Sequence, residues 1–432
     1  MVTGNPESRP VLLLAAVKGY ELRLFLDAAQ RLGLPVRLGT DRCHRLDDPW
    51  RDGALALKFE RPQQAAQRVL DFLQSNPVQA VVPLGDSATR TAALVCQALG
   101  LPYNSPEAVG ACHDKFRARE LMQAAGLPVP WFQKFSIQDD PRRCLEKVRF
   151  PCVVKPLALS ASRGVIRADN AEEFIAAFER AAALLARPEI QAHKDDATDW
   201  LLAEGYLPGR EFAVEALLTR GELRVLALFD KPDPLEGPFF EETLYVTPSR
   251  EPADTRRQIV STVEHAARAL GLRHGPIHAE LRLTPACAGR PEGPCLLEVA
   301  ARNIGGLCSL AVRFQTGFAL PELILRHACG LPIDSVARED AAAGVMMIPI
   351  PHGGLYEGVD GLEEARAVPG IEDIRITAKE EHPLEPLPEG SSYLGFIFAR
   401  ARTPEEAENA LRDAHRRLRF RIAPRLPVAT GR

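Results

Sequence analysis

The chain has 432 residues, enough for two or three domains around sizeable cores. Hydrophobic residues make up 46% and charged residues 25%, the balance of a soluble globular protein. A net charge of −4 implies no general polyanion partner such as nucleic acid, and no apolar run is long enough to span a bilayer.

The first ten residues are polar and are expected to be loose. Val11–Val17 is a short apolar run with no basic flank before it, so it reads as a buried strand rather than a secretory signal. Leu22, Phe25, Leu26, Ala29 and Leu32 recur at helical spacing, Gly33 stops the helix, and Leu34–Leu38 reads as the next strand. Gln79–Leu84 is a further strand, followed by Gly85, Asp86 and Ser87 and a helix carrying Ala88, Ala92, Val95 and Leu99. Strand and helix alternating at this spacing predict a parallel α/β domain over roughly the first 105 residues. Gly85 and Asp86 lie where a strand meets a helix, a usual ligand position in such domains. A dinucleotide fingerprint is absent, because residues 16–20 hold one glycine and not three.

A helix is expected over Asp114–Ala125, closed by Gly126 and Pro128. Cys152–Lys155 reads as a strand. The small residues of Ser160–Gly164 then permit a tight, mobile loop before the next strand. Residues 172–185 are helical by pattern, and 187–200 are polar and expected at the surface. Strands are expected at Leu201–Leu207, Glu211–Leu217 and Leu223–Asp230, a Pro/Gly-rich loop at 232–238, and a helix at 256–270. Gly275–Arg282 and Leu296–Ala300 are strand-like, joined by a Pro/Gly/Ala-rich hairpin loop at Pro285–Pro294. Helices are expected over 308–329, and from Val345 the pattern returns to short strands. The strand Tyr393–Phe398 and a helix carrying Ala407, Leu411, Ala414 and Leu418 close the chain. The locally basic stretch Arg416–Arg425 reads as a solvated face. No internal repeat or low-complexity tract is present.

Nine cysteines form no Cys-x-x-Cys pair. Cys43, Cys96, Cys152 and Cys295 lie in apolar surroundings, so reduced, buried thiols in a cytoplasmic protein are expected. No Cys/His cluster suggests zinc, and no serine-centred nucleophile elbow is present.

Three charged residues stand out. Glu280 and Glu298 sit among apolar neighbours on strand-like runs, and Lys155 lies between Val154 and Pro156. Carboxylates are hard ligands that suit magnesium, and a strand lysine can reach phosphates. Each has a bland alternative, since a strand glutamate is otherwise solvent-facing or half of an ion pair, and Lys155 is otherwise a rim lysine. Alternation would put Glu280 on the face of His278 and Arg282. His278 is then expected beside the site rather than as a magnesium ligand.

Taken together these elements resemble the ATP-grasp ligase superfamily, and within it most closely the L-amino acid ligases that make dipeptides. The resemblance runs from Val11 to about Ile422. It implies an α/β fold with α+β lobes: a parallel α/β domain over 1–108, a central lobe over 109–200, a second lobe over 201–335 and a C-terminal cap over 336–432. It further implies that Lys115 and Lys155 approach the ATP phosphates and that Ser160, Ser162 and Gly164 belong to a lid over them. Glu204, Tyr206 and Leu207 would form the adenine hinge, largely through backbone groups, and Glu211 would take the ribose hydroxyls. Glu280 and Glu298 would hold Mg²⁺, with Mn²⁺ as an alternative. Arg302 would act catalytically on the acyl phosphate, and Gly305 and Gly306 would admit the substrate. The stretch with Lys231 and Glu241 would border the amino-acid pocket, with His278 nearby. The asparagine usual two residues after the second metal acid is replaced by Ala300, as in the dipeptide ligases; Asn303 is not assigned that role.

The resemblance implies ATP-driven condensation of two amino acids, with ADP and phosphate released, no nucleic-acid or membrane partner, and a homodimer as an open alternative. A ligase with a non-amino-acid carboxylate or amine, a carboxylase-like enzyme and a non-catalytic nucleotide-binding scaffold are its rivals.

Overall fold

The computed structural model describes residues 9–16, 19–41, 54–157, 159–191, 196–286 and 291–424. Cys43 and the end of the basic stretch, Arg425, lie outside the described residues.

The N-terminal region is a four-stranded parallel sheet in the order Leu55–Ala56, Val36–Thr40, Val11–Ala15, Ala80–Leu84. Val11–Ala15 and Ala80–Leu84 are fully buried, which is why they read as unbroken apolar runs instead of alternating ones. Helices Leu22–Arg31, Pro62–Leu73 and Asp86–Leu99 cover the sheet. Pro62–Leu73 was not expected from the sequence. It opens on a proline and turns Ala65, Ala66, Val69 and Leu73 inward at helical spacing.

The next layer is a four-stranded antiparallel sheet ordered Phe132–Ser136, Trp200–Gly205, Cys152–Pro156, Ile166–Ala168, packed under helix Ala171–Leu185. Asn170 caps that helix by accepting from the Glu173 N–H. Trp200–Gly205 is hydrogen-bonded inside this sheet, so by sheet membership the lobe ends after Gly205, five residues beyond the expected boundary at 200.

Eight antiparallel strands form the largest sheet, in the order Gly293–Ala300, Gly275–Thr284, Arg210–Thr219, Glu222–Lys231, Leu244–Thr247, Ala342–Ile348, Gly395–Ala401, Ile371–Ile376. The expected boundary at 335 therefore crosses a continuous sheet: Leu244–Thr247 pairs directly with Ala342–Ile348. Helix Ala253–Ala269 packs on one part of it through Ile259, Val263, Ala266 and Ala267, and helix Pro404–Arg417 on another through Ala407, Leu411 and Ala414. A three-stranded sheet of Pro383–Leu384, Gly354–Asp360 and Arg419–Ala423 completes the C-terminal region. Where helix was expected over 308–329, the chain makes a short 3₁₀ turn at Cys308–Ala311 and a helix only from Leu320 to Ala328. Gly317, at φ +81°, turns the chain between them.

Six of the seven cysteines of the described residues are buried. Among the described residues no helix is long and apolar enough to cross a membrane.

Candidate functional site

A cavity of about 440 Å³ opens where the parallel domain, the first lobe and the large sheet meet. Its walls take Leu84 and Asp86 from the parallel sheet, Lys155 and Glu204 from the first lobe, Glu280 and Glu298 from the large sheet, and Met347 and Tyr393 from the C-terminal region.

Glu280 and Glu298 are direct register partners on adjacent antiparallel strands, so their side chains share one face. The ladder slips between Glu280 and Leu281, and such a bulge re-aims a side chain beside a site. Glu298 Oε2 lies 3.5 Å from Lys115 Nζ, which also donates to the Leu159 carbonyl at 2.8 Å. Lys115 opens helix Lys115–Ala124, whose first turn is fixed by the Asp114 carboxylate accepting from Phe116 and Arg117.

Glu280 faces a buried cation. Lys231 Nζ lies 2.7 Å from Glu211, 2.6 Å from Glu242 and 3.2 Å from Glu280, and Tyr245 donates to Glu242 at 2.9 Å. Burial alone would lower the Lys231 pKa, but the three carboxylates raise it well above its ordinary value. Glu242 is pushed up to about 7, first by burial and then by the Glu280 charge. Carboxyl oxygens of Glu211, Glu242 and Glu280 all lie within 4.8 Å of one another. These three already surround the Lys231 ammonium, so the hard oxygens that suit a divalent cation such as Mg²⁺ are those of Glu280 and of Glu298 across the strand pair.

His278 bridges the strands behind Glu280. Its Nδ1 is 2.5 Å from Glu215 and its Nε2 3.2 Å from Glu280, while the second Glu215 oxygen accepts from the Ile304 N–H at 2.9 Å. Burial would lower the imidazole pKa, yet the Glu215 carboxylate reverses this and holds it at about 9.

The first lobe contributes a buried triad. Lys155 Nζ donates to Glu204 Oε1 at 2.5 Å, and Arg119 grips the same carboxylate at 2.8 and 3.2 Å. Arg119, 1% exposed, also donates to the Leu297 carbonyl at 2.8 Å, tying its helix to the strand that bears Glu298. Burial would raise the Glu204 carboxyl, but Arg119 and then Lys155 bring it down to about 2. Beyond Glu204, Tyr206 stacks near-parallel on Phe240 at 6.3 Å between centroids, with Arg282 over both rings at 5.3 and 5.6 Å. Arg282 also donates to Glu211 at 2.8 Å and to the Leu207 carbonyl at 2.7 Å.

Arg302 is held in a two-bond fork by Asp86, at 2.9 Å for each bond. Asp86 begins helix Asp86–Leu99, so the parallel domain orients an arginine that follows the large sheet. Burial would raise the Asp86 carboxyl, but Arg302 brings it down to about 2. Asn303 donates to Glu21, whose carboxyl burial pushes up to about 8.

Of the residues expected at a site, Lys115, Lys155, Ser160, Ser162, Glu204, Tyr206, Leu207, Glu211, His278, Glu280, Glu298, Arg302, Gly305 and Gly306 line this one cavity. Lys231 stands behind it, bonded to three acids that do. Glu241 does not line it; the carboxylate in the wall is the neighbouring Glu242. Gly164 lies outside the wall, its N–H donating to the Pro388 carbonyl at 2.7 Å. The hinge backbone is partly engaged already, since the Tyr206 N–H donates to Pro151 and the Leu207 carbonyl accepts from Arg282. Sequence reasoning missed Arg119, Glu215, Glu242 and Tyr245. Arg119 shares a helix face with Lys115, four residues earlier, which is the one signal it carried.

Residues 26–103 match the ATP-grasp N-terminal domain family, 148–311 the ATP-grasp domain family, and 346–423 the L-amino acid ligase C-terminal domain 2 family. Among solved structures, the L-amino acid ligase from Bacillus licheniformis superposes with a TM-score of 0.80 at 29% identity, covering 96% of this chain and 99% of that one. Carnosine synthase 1 of Gallus gallus is 32% identical over 82% of this chain and 39% of its own length. Alanine–anticapsin ligase of Bacillus subtilis is 27% identical over 55% of this chain and 51% of its own. The chain thus spans about half, or less, of the length of these two relatives.

Proposed function

Because this chain belongs to the ATP-grasp superfamily and is an ATP-dependent carboxylate–amine ligase of that kind, we propose that it joins two L-amino acids into a dipeptide through an acyl phosphate. The observation that carries the reading is one cavity lined by two lysines, a pair of facing carboxylates and an Asp-oriented arginine. The match of its C-terminal region to the L-amino acid ligase family supports amino acids as substrates.

Forming an amide from a carboxylate is uphill in water, so the acid must be activated. In this reading a carboxylate oxygen of the first amino acid attacks the γ-phosphorus of ATP and the bond to ADP breaks. The amine nitrogen of the second then attacks the acyl carbon, phosphate leaves with the C–O electron pair, and the amine proton passes to solvent. Lys115 and Lys155 would neutralise the phosphates, and Arg302 the charge that develops on the acyl group. Tyr206 and Leu207 would wall the adenine, and Glu211 would face the ribose. Glu280 and Glu298 would hold Mg²⁺, which when bound supplies charge neutralisation of the phosphate oxygens. Lys231 and His278 keep Glu280 ionised, since burial alone would raise its carboxyl and those cations lower it well below its usual range. Glu242, Gly305 and Gly306 would border the amino-acid substrate. Loop Ser160–Gly164 would exclude water, which otherwise hydrolyses the acyl phosphate.

The test is ADP release with ATP and Mg²⁺ across the twenty L-amino acids, singly and in pairs, with mass detection of products. Release that needs amino acids, with a product mass equal to their sum less water, is expected. ATP binding without release from any pair would overturn the dipeptide reading.

A further inference from the structure

Loop 159–165 is held from outside its own lobe, by a turn of the C-terminal region more than two hundred residues away. Ala161 and Ser162 both sit in the left-handed region, at φ 57° and 53°. For residues with a Cβ this conformation is strained, so the loop needs outside contacts to keep its shape. Those contacts come from turn 385–390. Arg163 Nε donates to the Glu389 carbonyl at 2.6 Å, and the Gly164 N–H donates to the Pro388 carbonyl at 2.7 Å.

The same turn is gripped by the helical layer behind the loop. Arg180 holds the Glu389 carboxylate at 2.5 and 2.9 Å, and Arg187 holds Glu385 at 2.8 and 3.1 Å. The turn is pre-shaped: the Gly390 N–H donates to the Pro386 carbonyl at 2.8 Å, and a Cβ on Gly390 would lie 1.8 Å from the Glu385 carbonyl oxygen. Partly exposed ion pairs add little to global stability. A cluster of them closing on one strained loop therefore points to positioning of that loop.

We propose that turn 385–390 is a clasp for the phosphate lid, with Glu389 as its positioning residue. The clasp keeps the loop down while the acyl phosphate waits for the amine, so that the acyl group reaches nitrogen and not water. This use of the clasp rests on the ligase reading above; the clasp itself rests on the contacts.

The experiment compares the full-length protein with Glu389→Ala and with the charge swap Arg180→Glu/Glu389→Arg. The first readout is the rate of trypsin cleavage after Arg163, which needs no activity. The second is ADP formed per amide, with kcat and KM for ATP measured apart. Glu389→Ala is expected to speed cleavage after Arg163 by about tenfold, as for a loop whose local opening becomes easier. It should also raise ADP per amide from about one to several and raise KM for ATP, with the thermal midpoint little changed, because lid opening then competes with aminolysis. The swap should restore both readouts toward wild type. Unchanged cleavage and unchanged coupling in Glu389→Ala would overturn the clasp. Faster cleavage in a protein that makes no amide would keep the clasp and overturn the ligase reading alone. Should Glu389→Ala fail to fold, Glu385→Gln, which loosens the same turn through Arg187, is read by the same two measures.

Discussion

His278 gives the sharpest test of the site electrostatics. It is 6% exposed and sits between Glu215 and Glu280, and its pKa is raised to about 9 against 6.5 for the free side chain. Below pH 6.5 both folded and unfolded chains carry the proton, and the ion pair contributes in full. Between 6.5 and 9 folding must take up a proton, so stability falls as pH rises, and above 9 the contribution is gone. The gap between these two pKa values corresponds to about 3 kcal/mol at 1.36 kcal/mol per unit. The perturbation is His278→Gln, which keeps hydrogen-bonding capacity and removes the charge. Urea unfolding of both proteins at pH 6, 7.5 and 9.5, followed by circular dichroism, measures the difference between them. That difference should be largest at pH 6 and shrink by about 3 kcal/mol by pH 9.5. A difference that stays constant across this window would show that His278 is neutral in the fold and that the Glu215 pair carries no charge.

Three further outcomes follow from the same geometry. Glu298→Gln should cut Mg²⁺-dependent ADP formation by about a hundredfold or more, and ADP formation at the wild-type rate would remove Glu298 from the proposed metal site. In Asp86→Asn, Arg302 loses its charged fork; kcat should fall by about 10- to 100-fold with KM for ATP nearly unchanged, whereas a change confined to KM would contradict an orienting role. Arg119→Met leaves Glu204 with Lys155 alone in a buried setting and should destabilise the protein by about 3 kcal/mol. Arg119→Lys would recover only part of this, because a single ammonium cannot reach both Glu204 and the Leu297 carbonyl, and equal melting of all three proteins would refute the triad.

Much of this protein was decided by short-range pattern. The buried parallel strands were legible because both faces are covered, so Val11–Ala15 and Ala80–Leu84 are apolar without interruption. That the strands bearing Glu280 and Glu298 are neighbours was legible from two strand-like runs and a turn-rich loop between them. Their direct pairing was not, because it depends on the slip in the ladder between Glu280 and Leu281, without which Glu280 would face Leu297. Lys155 was conspicuous because a lysine between Val154 and Pro156 has no local partner; its partner, Glu204, arrives from 49 residues away.

What the sequence could not contain was which distant charges meet. Arg119 reads as a surface helix residue and is fully buried only because the strand bearing Glu298 and the sheet bearing Glu204 close over it. Glu241 and Glu242 are adjacent acids in an irregular loop, where no periodicity says which faces the cavity; the contact with Lys231 and Tyr245 chose Glu242. The boundaries expected at 200 and 335 fall beside and within sheets for the same reason. Trp200–Gly205 and Ala342–Ile348 join their sheets through backbone hydrogen bonds to strands remote in sequence, and backbone pairing leaves no mark on side-chain composition. Local propensity and periodicity are properties of neighbouring residues, whereas the cavity, its pKa shifts and the lid clasp depend on long-range packing that only the folded chain supplies.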